Sequence, residues 1–175
     1  ATPEFVVDKS TKLETIYDRV NEVETRFAAL KRDEQIKSLR NELKVERDDS
    51  LSKEEKLMKI KTLKSKYSKK LRELKSDLEF IKESNIGGEF MSDDKKQRIN
   101  EISNYKWKPN GKMQNFLSEN EVYNLTIPRG TLTPEERQVI NDHIVVTINM
   151  LDELPYPKHL KNIPEFAGGH HEKLD

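Results

Sequence analysis

The 175 residues are 33% hydrophobic and 37% charged, with a mean hydropathy of -0.91. That balance is too polar for one compact globule of this size and favours long helices with much solvated surface. Lysine plus arginine (32) equals aspartate plus glutamate (32), so no net field steers the chain towards nucleic acid or membrane; zero cysteines exclude disulfides and thiolate metal sites. No apolar run approaches the ~20 residues of a spanning helix, and the expected location is the cytoplasm.

Residues 1–10 form a short lead, with Phe5, Val6 and Val7 as an apolar anchor. Thr11 and Glu14 have the spacing of a capping box, so a helix is expected to start there. Leu13, Ile16, Val20, Val23, Phe27 and Leu30 follow at spacings of three and four, as on a coiled-coil seam. The register then shifts to Ile36, Leu39 and Leu43, and the helix is expected to run to near Arg47.

Asp48-Asp49-Ser50 breaks the pattern, and Ser52 with Glu55 marks a second start. A second seam runs through Leu57, Ile60, Leu63, Tyr67, Leu71, Leu74, Leu78 and Ile81 to an end near residues 84–88. Two long amphipathic helices joined by a short turn form an antiparallel hairpin, placed at residues 11–84. Between Lys53 and Lys82 ten lysines and one arginine face five acidic residues. Tyr67, on the apolar seam, and Phe80 are its two aromatic side chains, too few to make a base-stacking surface, so this is read as a solvated face and no nucleic-acid polymer is expected as partner.

Residues 85–130 read as a short helix and loop linker. Ser92 caps a helix to about Asn104 with Ile99 and Ile102 inward, and Lys-Pro-Asn-Gly marks a turn within a loop from Tyr105 to Ser118. Trp107 and Phe116 are expected to pin that loop to the core. Residues 119–130, with Val122, Tyr123, Leu125 and Ile127, lead into the final stretch.

Residues 131–175 open with Thr133 as cap, Pro134 at the first helical position and Glu136 completing a capping box. The helix should run to about Leu154. At ~100° per residue, Val139, Ile140, Val146, Thr147, Met150, Leu151 and Leu154 fall within about 80° of His143, which is expected at the centre of a buried stripe. A buried histidine here is either a core residue bonded to a backbone carbonyl or a metal ligand. After Pro155-Tyr156-Pro157, a second short helix is expected from about Ile163 through His171, with Gly168-Gly169 packed close to another backbone. His170 and His171 point ~100° apart on a helix, so they reach two ions, or one ion and a neighbouring partner. Glu172 is either such a partner or a surface carboxylate, and His159 is placed on the surface.

The run GTLTPEERQVINDHIVVTINMLDELPYPKHLKNIPEFAGGHHEKLD resembles the second half of the HD-GYP branch of the HD-domain metal-dependent phosphohydrolases. The resemblance implies a helical core holding two or three metal ions, often iron or manganese, that hydrolyses a phosphodiester such as a cyclic dinucleotide. It further implies that His143, His170 and His171 are metal ligands, and that Asp175 opens the motif that ends in Gly-Tyr-Pro. Neither a His-Asp dipeptide nor Gly-Tyr-Pro occurs in these residues. The expectation is therefore an internal, inactive piece of such an enzyme. The expected fold is all-α: a long antiparallel helical hairpin attached to a partial HD-type domain. The alternative is a dimerisation or signalling module, with the hairpin as a homodimer seam and no catalysis.

Overall fold

The structure is a computed structural model that describes residues 9–157 together with 160, 162, 163 and 166. It is mostly helical. Helix α1 spans Val20–Glu46 and α2 spans Lys53–Ile86, paired antiparallel as a hairpin. There follow α3 (Asp93–Ser103), the two-residue strands β1 (Lys106–Trp107) and β2 (Gln114–Asn115), α4 (Glu119–Leu125) and α5 (Pro134–Asp152).

The second arm of the hairpin starts where the sequence signals it. Ser52 accepts from the Glu55 N–H at 3.3 Å and the Glu55 carboxylate accepts from the Ser52 N–H at 2.8 Å. It ends at Gly87, whose φ of 73° closes the helix in the left-handed conformation. A Cβ at Gly87 would lie 2.8 Å from the Gly130 carbonyl oxygen, so this turn packs directly on the backbone that precedes α5.

The first arm does not start at Thr11. Lys12 N–H donates to the Asn85 carbonyl at 2.8 Å and Leu13 N–H to Asn85 Oδ1 at 2.7 Å, which ties this segment to the end of α2. Glu14 does reach back, to the N–H groups of Ser10 (2.6 Å) and Thr11 (3.1 Å), but the Thr11 hydroxyl donates to Asp18 instead of capping. Asp18 also accepts from Val20 N–H, the first of α1, at 2.9 Å. Ile16, expected on the seam, is 90% exposed.

The core lies at the base of the hairpin. Leu13, Val23, Phe27, Leu74, Ile81, Met91, Ile99, Ile102, Phe116, Leu117 and Leu125 form one buried cluster. Phe116 sits at its centre, edge-on to Phe27 at 4.6 Å between ring centroids and to Trp107 at 6.3 Å. The 105–118 stretch, expected as loop, is pinned as anticipated. It also pairs Lys106 with Asn115 and Trp107 with Gln114 around a 3₁₀ turn at Pro109–Gly111.

Candidate metal centre

Residues 119–130 are more than a connection, because Ser118 and Glu121 form a capping box that starts α4. Glu121 is buried and accepts two bonds from the Arg26 guanidinium, at 2.5 and 2.8 Å, while Arg26 also donates to the Phe116 carbonyl at 2.8 Å. Burial pushes the Glu121 carboxyl up, but its bonds from Arg26 and Ser118 outweigh burial and hold it below the ordinary glutamate value.

The other end of α4 is closed by a lysine. Lys12 is fully buried and its Nζ donates to the carbonyl of Leu125 (3.0 Å), which the end of the helix leaves without an intrahelical partner, and to that of Ile127 (2.9 Å), just beyond the cap. Burial first, and repulsion from Lys95 second, bring its pKa down to about 8. Lys9, three residues earlier, donates to Asn124 Oδ1 at 3.0 Å and to both oxygens of Glu136 at 2.9 and 3.0 Å.

Glu136 thereby joins two tasks. Its Oε2 accepts from Thr133 N–H at 2.8 Å while its own N–H donates to the Thr133 hydroxyl at 3.2 Å, completing the expected capping box at the start of α5. Thr131 donates to the Lys9 carbonyl at 3.0 Å, and Tyr123 donates to Glu135 at 2.8 Å. The N-terminal strap of residues 9–13 thus fixes the first turn of α5 against α4 and the base of the hairpin.

His143 lies in α5, two helical turns beyond Glu136; its side chain is outside the described set. His170, His171, Glu172 and Asp175 also fall outside the described residues, as does His159. The stripe expected to bury His143 is largely open: Val139 is 42% exposed, Val146 56%, Met150 61% and Leu154 50%, while Ile140, Thr147 and Leu151 are half-buried. That expectation is corrected, because beyond its first turn α5 carries an apolar face with little packed on it among the described residues. In the second expected helix, Phe166 N–H donates to the Asn162 carbonyl at 3.0 Å, the spacing of one helical turn.

Among the described residues no group of three or more His, Asp or Glu is arranged to hold a metal ion. The fit of the donor set therefore rests on its chemistry. Histidine and carboxylate side chains are donors that suit first-row divalent ions, and of the expected ligands the described residues include only the backbone of His143, in α5.

Sequence reasoning missed Lys9, Lys12, Arg26 and Glu121. Glu121 had a signal, since Ser118-Glu119-Asn120-Glu121 has the capping-box spacing already read at Ser52 and Thr133. The two lysines gave none, because their partners lie more than a hundred residues away in the chain.

Residues 119–175 match the family model described as HD domain. The match starts at the first residue of α4 and takes in α5 and the residues through Asp175. It implies, at the level of class, a metal-dependent phosphohydrolase family whose domains typically bind divalent metals. No curated protein and no solved structure matches the chain. None of the described helices is long and apolar enough to cross a membrane.

Proposed function

We propose that residues 119–175 supply part of the metal site of a phosphodiesterase of the HD-GYP branch, acting on a cyclic dinucleotide. The observation that carries this reading is the HD-domain match over 119–175, which contains His143, His170 and His171. The three imidazoles would hold divalent iron or manganese, with Glu172 and Asp175 as neighbouring carboxylates that orient them. Bound ions of this kind supply Lewis acidity to a phosphodiester and a nucleophilic water at neutral pH. What the chain itself contributes is placement: the Thr133–Glu136 box and the Lys9 bridge set the direction of α5, and with it the position of His143. The open apolar face at Val146, Met150 and Leu154 is where further helices of such a domain would pack. Since no His-Asp pair occurs in these residues, the 175-residue chain alone should hydrolyse no cyclic dinucleotide.

The test is hydrolysis of cyclic di-GMP by the intact protein, including whatever residues adjoin this chain in it, with and without His143→Ala. The expected result is metal-dependent release of the linear dinucleotide, lost in the variant. Turnover that is unchanged by His143→Ala, or confined to phosphomonoesters, would reject the reading.

The hairpin is proposed as an interaction element attached to that domain. Ile36, Leu39 and Leu43 favour this, because they are about half exposed on the distal part of α1.

A further inference from the structure

The apolar residues of α1 change sides along the helix. In its first half Val23 and Phe27 are fully buried and Leu30 packs against the core. In its second half the side turned to α2 is polar: Glu42 pairs with Lys64 across the hairpin at 3.8 Å, and Ser38 donates to Glu42 at 3.1 Å. Ile36, Leu39 and Leu43 are instead 47%, 52% and 50% exposed. At ~100° per residue they point roughly opposite to Phe27, and Arg32 lies about 15°, Arg47 about 45° and Arg40 about 65° from their mean direction.

This makes a ridge of three aliphatic side chains interleaved with three exposed arginines over four turns. Among the described residues, none of those guanidinium groups has a hydrogen bond or ion pair, although ten ion pairs are formed elsewhere. The nearest carboxylates on the helix, Glu46 and Asp33, lie ~55° and ~85° from that direction, on opposite sides of it. The spacing 32, 36, 39, 43 is that of a coiled-coil seam, which matches the face of one further helix.

We infer that the distal outer face of α1 docks an acidic amphipathic helix of another protein, with leucine-like residues against Ile36, Leu39 and Leu43 and carboxylates against Arg32, Arg40 and Arg47. Charge selects this occupant over a second copy of the chain. A symmetric antiparallel pairing centred between Leu39 and Arg40 sets Arg32 against Arg47 and Asp33 against Glu46, and a parallel in-register pairing sets each arginine against itself, so both face like charges. Arginine forks match carboxylates bidentately, which gives the seam direction as well as affinity. The ridge has no tryptophan, tyrosine or phenylalanine to sit at a lipid interface. The inference deepens the interaction reading of the hairpin and is independent of the metal site.

The test uses the full chain and two synthetic helical peptides. Both have leucine at the a and d positions; one has glutamate and the other lysine at the flanking positions. Titration should show binding of the glutamate peptide in preference to the lysine peptide, weakened by added salt. Leu39→Asp should weaken it about tenfold or more, and Arg32→Glu with Arg40→Glu and Arg47→Glu should invert the preference. These positions are exposed, so circular dichroism and melting should match the parent chain. Equal binding of both peptides, or binding only to phosphatidylserine vesicles, overturns the inference. So does self-association that Leu39→Asp disperses, although that result leaves the hairpin an interaction element. No binding and no self-association would overturn both.

Discussion

At the residue scale, the most informative side chain is Lys12. A fully buried ammonium would be costly without partners, and the carbonyls of Leu125 and Ile127 supply two. Its folded pKa of about 8 lies below the ordinary lysine value of 10.5, so between these values the folded chain binds fewer protons than the unfolded one. Stability from this group therefore rises with pH across that window and is lowest below pH 8. Relative to Lys12→Met, the parent chain should gain up to about 3 kcal/mol on going from pH 7.5 to pH 10.5 by urea unfolding. A flat difference would show that Lys12 does not titrate in that range.

Glu121 gives the opposite sign. Its folded pKa is held below 4.5, so its contribution is present above that value and is lost as pH falls through the lower folded one. Replacing it with glutamine leaves the Arg26 charge half-buried without its partner, and Glu121→Gln should cost about 3 kcal/mol at pH 7. The same denaturant series run towards pH 3 should bring parent and variant closer together.

At the element scale, what was legible followed from local chemistry. Ser52, Ser92 and Thr133 cap where their spacing to the next carboxylate or backbone donor says they should. Ile99, Ile102 and Phe116 are buried as their pattern requires. The start of α1 was not legible, because Thr11 and Glu14 have the right spacing but the Thr11 hydroxyl turns to Asp18, and Asn85, far away in the chain, ties the segment down. The apolar stripe of α5 misled for a related reason. Periodicity shows that a face seeks cover, and it does not show whether the described residues provide that cover. As for the metal ligands, His143 is placed on α5 by its sequence pattern, while the convergence of three imidazoles rests on the family resemblance and the HD-domain match.

Gly87 ties two elements together. Its φ of 73° and its contact with Gly130 leave no room for a side chain, so Gly87→Ala should cost about 1–3 kcal/mol in chemical denaturation. The α2–α3 turn would also shift away from the backbone that leads into α5. A variant as stable as the parent would show that the turn relaxes without strain.

At the scale of the whole molecule, core and hairpin are unequal partners. Every fully buried apolar side chain of the hairpin lies near its base, at Val23, Phe27, Leu74 and Ile81, and the distal half is held by exposed pairs such as Lys64–Glu42. Removing residues 35–69 and closing the ends with a short glycine-serine turn should keep the cooperative unfolding transition, since exposed ion pairs contribute about 0–1 kcal/mol each. Loss of the transition would mean that the distal arms, and not the base, hold the fold together. Charge follows the same division: the base holds the ion pairs Arg26–Glu121 and Lys9–Glu136, whereas Arg32, Arg40 and Arg47 on the distal outer face form none among the described residues.

The central claim is that His143, His170 and His171 hold divalent metal within the HD-domain segment. It is tested most directly by elemental analysis of the intact protein, purified without oxygen and supplied with iron and manganese, beside the variants His143→Ala and His170→Ala with His171→Ala. At least one equivalent of metal per chain is expected in the parent, and its loss from both variants while helical content stays unchanged. A parent protein without metal, or variants that retain it in full, would contradict the account.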